Sequence, residues 1–261
     1  NGQGYTENDL KAFKNIVSSK KNNTEVEIKT EVNNVPGKIY DSPKFLPAGD
    51  KYMLIEFGNI MNLELNFTAQ NLAKAIKDHK LKGVYETSPC FASMIVHYEP
   101  EEINFNELKN ELKSLINSLG PSDDIEINSR IFSFPTVYLD KWTKECIEDY
   151  SDKIAKKKPD PELITELNNL ENIDQFVRVH SGTEYWVAAI GFWPGLPFMM
   201  ALDPRCKLTV PKYNPPRTWT PKGTVGMGGA STCIYPDRLP GGYQIFGIIP
   251  VPIWDTKKSF P

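Results

Sequence analysis

One stretch near the C-terminus limits what this chain can fold into. It runs Gly191-Phe-Trp-Pro-Gly-Leu-Pro-Phe198, then Tyr213-Asn-Pro-Pro-Arg-Thr-Trp-Thr-Pro221. It continues Gly226-Met-Gly-Gly-Ala-Ser231 and closes with Pro240-Gly-Gly-Tyr-Gln-Ile-Phe-Gly247. Glycine and proline at this density fix tight turns and bring bare backbone close to a neighbour. Short apolar runs alternate with these turns: Trp186 to Phe192, Lys207 to Val210, Gly223 to Met227, Thr232 to Tyr235 and Tyr243 to Ile249. That pattern predicts an all-β barrel or sandwich over residues 183–261, with the turns as its candidate site.

The 261 residues leave room for more before that domain. Residues 1–44 read as an appendage, with a helix over Tyr5 to Val17 and a strand over Val26 to Val32. Residues 45–139 read as a compact lobe. Tyr52 to Phe57 is a buried strand and Thr68 to Lys80 a helix. Gly83 to Glu86 and Ala92 to Tyr98 are strands around a Ser88-Pro89 turn. Asn104 to Leu119 is a second helix, with Asn104 and Glu107 at capping-box spacing. Glu126 to Phe134 supplies the last strand. The order βαββαβ is ferredoxin-like. Residues 140–182 read as a charged helical connector. Asp160 is its candidate N-cap, followed by Pro161 at the first helical position. Lys156-Lys-Lys158 reads as a solvated helix end.

Composition excludes several function classes. The net charge of -3 gives no basic excess for nucleic acid or an anionic membrane. The apolar runs fall far short of the roughly 20 residues a spanning helix needs. Asn1 to Leu10 lacks the apolar core of a signal peptide, and the absence of an initial Met is expected of a trimmed chain or a piece of a longer one. The four cysteines are scattered without a CxxC, as expected of buried free thiols in a cytoplasmic protein. Three histidines with no HxH or HExxH spacing give no metal motif. P-loop, dinucleotide-binding and GxSxG patterns are missing, and Gly228-Gly-Ala-Ser231 matches the glycine-serine stretch of amidases only superficially.

Candidate site residues follow from residue chemistry. Arg217, between Pro216 and Pro221, is a rigidly presented fork suited to a carboxylate, or else one half of a loop-holding ion pair. Backbone N–H groups around Gly228, Gly229 and Ser231 can point at an oxyanion. Tyr243 and Gln244 can hydrogen-bond an amide or urea-like group. Phe192, Trp193 and Phe198 suit either a core or a cleft wall. His180 stands where the connector meets the β domain, and its chemistry allows a substrate contact but favours a satisfied structural role.

These segments resemble the allophanate hydrolase subunit 1 family. The resemblance rests on Gly191 to Phe198, Leu202-Asp-Pro-Arg205, Gly226-x-Gly-Gly229, Ile234-Tyr-Pro236 and Pro240-Gly-Gly-Tyr-Gln244. Tyr213 to Pro221 is closer still to the carboxyltransferase domain of urea carboxylase. Leu54 to Gly58 and Ser88 to Pro100 fit the same domain, so residues 45–255 are covered. The resemblance implies an α+β fold: a ferredoxin-like N-terminal lobe followed by a cyclophilin-like β-barrel. It implies carboxybiotin on a separate biotin carrier protein, a subunit 2 homologue as partner, and urea or a related amide as acceptor. Pro194 and Gly195 join the substrate-binding candidates on this basis, and Arg217 and His180 become the catalytic ones. Other branches of the family are a 5-oxoprolinase small subunit and a sporulation-kinase inhibitor, the second a non-catalytic binding protein. In one place the chain departs from the family pattern: Gly-Arg-Thr is replaced by Gly247-Ile248-Ile249. That removes an anion-binding arginine, leaves Arg217 as the clearest cation, and opens a changed substrate or a regulatory role.

Overall fold

A computed structural model of the protein describes residues 37–119, 127–255 and 257. The helix and strand expected within residues 1–36 lie outside the described residues.

Two antiparallel sheets organise the chain. The first has four strands in the order β1-β2-β4-β3, with β1 at Ile39–Pro47, β2 at Tyr52–Gly58, β3 at Val84–Cys90 and β4 at Ser93–Tyr98. Helices α1 (Leu63–His79) and α2 (Phe105–Ser118) cover one face of it. Their apolar stripes, Ala69, Leu72 and Ile76 on α1 and Leu108, Leu112 and Leu115 on α2, meet Met53, Ile55, Met94 and Val96 in one core. Both helices start where side chains satisfy their first free N–H groups. Asn62 accepts from Leu65 N on α1, so that helix begins five residues before the expected Thr68. Asn104 and Glu107 form the expected capping box on α2.

Two features of this lobe differ from the sequence reading. Ser88-Pro89 is not a turn: β3 runs through it to Cys90, and the chain reverses at Phe91, whose φ is 49°. β3 is an edge strand, where a missing proline N–H breaks no ladder bond. Residues 127–136 form no strand, and the fourth place in the sheet is taken by β1 against β2. β1 crosses residue 44, the end of the expected appendage.

The connector folds as three helices, α3 (Lys141–Lys153), α4 (Asp160–Leu167) and α5 (Ile173–Ser181). The second sheet has six strands in the order β5-β12-β9-β10-β7-β6. They are β5 (Val137–Tyr138), β6 (Tyr185–Ile190), β7 (Pro197–Ala201), β9 (Thr224–Gly228), β10 (Ser231–Ile234) and β12 (Gln244–Ile248). β8 (Arg217–Thr220) and β11 (Leu239–Gly241) pair as a separate ribbon. The large sheet is open, with β5 and β6 as its outer strands. Its central strands β9, β10 and β12 are buried on both faces, which explains why no charged residue stands in them. On β12, Ile245 and Phe246 point to opposite sides by the two-residue period of a strand. Phe246 joins Ile164 of α4 and Phe176 of α5, whereas Ile245 joins Cys146 and Ile147 of α3 and Leu239 of the ribbon.

Asn66, fully buried on α1, ties the first lobe to the second. Its Nδ2 donates to Phe91 O and to Ala188 O, each at 2.9 Å. Its Oδ1 accepts from Trp186 Nε1 at 2.7 Å, and Phe91 N donates to Ala188 O at 3.2 Å. A buried amide with every group paired stabilises modestly, but removing it strands the partners. Asn66→Ala should therefore lower unfolding free energy in urea by about 3 kcal/mol. A loss under about 0.5 kcal/mol, the scale of an ordinary surface change, would show that the tie carries no stability.

Candidate functional site

The Gly/Pro-rich loops converge on a carboxylate that the sequence reading assigned elsewhere. Asp160 is the first residue of α4, and the N-cap position belongs to Pro159. The Asp160 side chain turns inward and is completely buried. Its Oδ2 accepts from Arg217 Nη2 and from Ile245 N, the latter at 2.7 Å. Its Oδ1 accepts from the Tyr213 hydroxyl and from Lys157 Nζ, the latter at 3.1 Å. One carboxylate thus fixes a loop, a strand and a connector lysine at the start of a helix, where the helix dipole also favours negative charge.

Arg217 completes the clamp. Only 2 % of it is exposed. Its Nη1 donates to Tyr243 O at 2.7 Å, its guanidinium lies 3.9 Å from the Tyr213 ring centroid, and its buried Nε has no partner. The arginine is therefore the loop-holding half of an ion pair, the second of the two roles open to it from sequence. Tyr213 is further set by an edge-on contact with Tyr150, whose hydroxyl donates to Pro215 O at 2.7 Å. Burial pushes the Tyr213 hydroxyl well above its usual range, so it stays a donor.

Lys157 and Gln244 extend the network. Lys157 Nζ donates to Gln244 Oε1 at 2.5 Å and stands 3.3 Å from the Tyr213 centroid. Burial lowers the Lys157 pKa, opposed by the charge of Asp160. Gln244 Nε2 donates to Pro211 O at 2.7 Å. Both ends of the Gln244 amide are thus used inside the protein, and its outward effect is to set the backbone next to Lys212.

Lys212 is an exposed cation at these loops. Its Nζ lies 5.3 Å from the Tyr243 ring centroid. A Cβ built on Gly228 would stand 2.6 Å from the Tyr243 ring and 3.0 Å from Lys212 Cγ, so this glycine lets tyrosine and lysine close over the strand. The next residue, Gly229, is exposed at φ 62°, but its N–H donates to Val210 O at 2.7 Å. Ser231 is buried in β10. The Tyr243 hydroxyl, pushed up to about 12 by burial, remains protonated at neutral pH.

The remaining candidates lie apart from the clamp. Gly195, at φ 77°, sits against the Trp254 ring in the β6–β7 turn, after exposed Phe192, Trp193 and Pro194. His180 is 5 % exposed. Its Nδ1 shares a hydrogen with the Tyr138 hydroxyl at 2.7 Å and its Nε2 with Thr232 Oγ1 at 3.1 Å. Both ring nitrogens are engaged in the core against Phe176 and Phe246. Ile248, where the family pattern has arginine, is half-buried in β12 opposite Thr224 and Val137. Two surface cavities, of about 590 and 440 Å³, contain none of the named site residues.

The comparisons define the class of this domain. The family model described as carboxyltransferase domain, subdomain C and D, matches residues 43–261. The chain belongs to that family, the allophanate hydrolase subunit 1 family. It is 33% identical over 232 residues to the urea amidolyase of Lachancea kluyveri, covering 86% of this chain and 13% of the relative. To a 5-oxoprolinase subunit of Bacillus subtilis it is 27% identical over 223 residues, covering 82% of this chain and 85% of the relative. The crystal structure of the K. lactis urea amidolyase superposes with a TM-score of 0.72 at 26% identity, over 82% of this chain and 14% of that one. The chain therefore spans about an eighth of the first curated relatives it matches, at 13% and 12%.

Two outcomes follow from the buried groups. Burial lowers the His180 pKa to about 4. The folded state thus binds the proton less readily than the unfolded chain, whose histidines titrate near 6.5. The contribution is complete above about pH 6.5 and is lost as pH falls toward 4, by roughly 3 kcal/mol in all. Urea unfolding across this range should show the slope, and His180→Gln should flatten it; an unchanged slope excludes His180 as its source. Separately, Arg217→Ala should cost about 3–5 kcal/mol by leaving Asp160 buried without its countercharge. Wild-type stability in that variant would show that the pair does not hold the loops.

Proposed function

We propose that this chain is the subdomain C and D half, the subunit 1-like half, of a biotin-dependent carboxyltransferase. It acts with a subunit 2 homologue and a biotin carrier protein to place CO2 on the nitrogen of urea or a related amide. The observation that carries this reading is the segment Tyr213 to Pro221, which resembles urea carboxylase and is built around the Asp160–Arg217 clamp. In this reading the two lobes correspond to the ferredoxin-like and cyclophilin-like halves, with the six-stranded sheet as an unclosed barrel.

Among the described residues, the candidate loops leave carboxybiotin no enclosed cradle of their own. The Gly229 N–H is already used by Val210, Tyr243 closes over Gly228, and the described cavities lie elsewhere. This half supplies one wall, and the partner supplies the rest of the enclosure. Lys212 is an exposed charge on this wall, beside the Gly228 and Tyr243 candidates, and attracts a carboxylate or oxyanion at the interface. Gln244 holds Pro211, Lys157 holds Gln244, and Asp160 holds Lys157, so the lysine's backbone rests on the buried clamp. Arg217 is a positioning residue here, and His180 a core residue. Tyr243 offers its ring as the floor beneath Lys212.

A second reading draws on a specific observation. The Bacillus 5-oxoprolinase subunit corresponds to this chain over 85% of its own length, as a separate polypeptide would. Under that reading the same wall faces a lactam-opening partner.

Reconstitution with a subunit 2 homologue decides between the two. Bicarbonate- and biotin-dependent carboxylation of urea supports the first; ATP-dependent opening of 5-oxoproline without biotin supports the second. In the active complex, Lys212→Ala should lower kcat/KM about 100-fold with the fold's unfolding midpoint unchanged. Full activity of Lys212→Ala would remove Lys212 from the site.

A further inference from the structure

We propose that the groove between β1 and α2 receives an acidic, extended polypeptide segment of a partner protein, laid along the outer edge of β1. The groove has a volume of about 440 Å³ and is formed by residues 42–46 of β1 and by Lys109, Lys113, Ile116 and Asn117 of α2. It lies on the first lobe and shares no residue with the Asp160 clamp.

Charge is the first argument. Lys44, Lys109 and Lys113 line the groove and no aspartate or glutamate does. None of the three forms an ion pair among the described residues. The chain as a whole carries -3, so this positive strip is a local arrangement and not a consequence of composition. Other lysines on helices do find carboxylates, as Lys74 does with Asp78 and Lys144 with Glu148. Lys44 and Lys113 are instead held over aromatic rings, Tyr40 at 3.8 Å and Phe45 at 6.0 Å.

Spacing is the second argument, and it selects an extended chain. Lys109 and Lys113 are one turn apart on α2, which places them about 6 Å apart along the helix. Alternate side chains on one face of a strand repeat every ~6.7 Å. Acidic residues at every second position of a strand therefore meet successive lysines. The main chain of such a strand has a template beside it. β1 is the outer strand of its sheet, and among the described residues nothing pairs with its free edge. Strand addition of this kind takes affinity from backbone hydrogen bonds and specificity from alternate side chains. Half-buried Phe45 and Ile116 give the intervening apolar side chains a floor.

The full chain can be titrated by fluorescence anisotropy with a labelled nine-residue peptide of alternating Glu and Val, at about 0.15 M salt, where charges act over about 8 Å. Binding is expected, weakened about tenfold by Lys109→Glu with Lys113→Glu. The charge-matched pair Lys141→Glu with Lys144→Glu on α3 should leave it within about twofold, since remote charges are screened. Proline at alternate peptide positions removes N–H donors and should weaken binding about tenfold if the strand pairs with β1. Circular dichroism of both double variants confirms that these surface changes keep the fold. No binding of the alternating peptide overturns the proposal. Equal losses in the two charge-reversed variants overturn it too, since net charge alone would then explain the binding. Tighter binding of a single-stranded oligonucleotide than of the peptide would assign the strip to phosphate instead and also overturn it.

Discussion

A buried carboxylate must be compensated, and the way Asp160 is compensated sets the geometry of the whole C-terminal half. Isolation of an ionised aspartate from water costs several kcal/mol, which only close donors can offset. Here the donors come from four places in the chain: Lys157, Tyr213, Arg217 and the Ile245 N–H. Each bond brings another segment into register. Tyr213 and Arg217 tie down the proline-rich loop, Ile245 ties β12, and Arg217 reaches across to the Tyr243 carbonyl. The loops that looked like a site in the sequence are therefore held from beneath, by a charge that never reaches solvent.

The same logic of a fully engaged polar group joins the lobes. Asn66 uses both amide hydrogens and its oxygen on Phe91, Ala188 and Trp186. Apolar contacts of Phe67 with Trp186 and of Phe91 with Phe198 surround it. Apolar burial alone would allow the lobes to slide; directional hydrogen bonds fix one arrangement. The Gly191 to Phe198 turn is thereby anchored on the first lobe through Phe198, while its Phe192 and Trp193 remain outside.

What the sequence shows and hides follows the range of the interactions. The α2 capping box is local, and Asn104 and Glu107 announce it at the right residues. The central strands β9, β10 and β12 are legible because burial on both faces keeps charged residues out of them and Gly/Pro turns bound them. β7 and β11 are not legible because Pro197 opens one and Pro240 stands in the other, and β8, four residues long, lies between Pro216 and Pro221. The strand expected at Glu126 to Phe134 has the right alternation, but propensity does not say which segment wins the place beside β2, and β1 holds it. Asp160-Pro161 carries the local signature of a helix cap. Its real role depends on Arg217, 57 residues away, and no local pattern records that distance. Lys157 was hidden in a run of three lysines whose neighbours, Lys156 and Lys158, do lie in solvent and pair with Asp152 and Glu166. Lys212 had no signal beyond its place beside Tyr213.

This division of labour bears on how one scaffold appears in relatives named for different activities, a urea amidolyase and a 5-oxoprolinase subunit. The groups Asp160, Arg217, Asn66 and His180 are all inside and, the Arg217 Nε apart, direct their hydrogen bonds within the fold. Buried networks of that kind tolerate no change of partner without large loss, so they constrain the shape of the wall and not its chemistry. Exposed positions such as Lys212 and the aromatic turn at Phe192 and Trp193 carry no such constraint. On the proposed reading, reaction specificity would shift by changing what faces the wall, with the Asp160 clamp beneath it left as it is. On that reading the buried polar groups fix the geometry of these loops, and the activity is left to the surface and to whatever meets it.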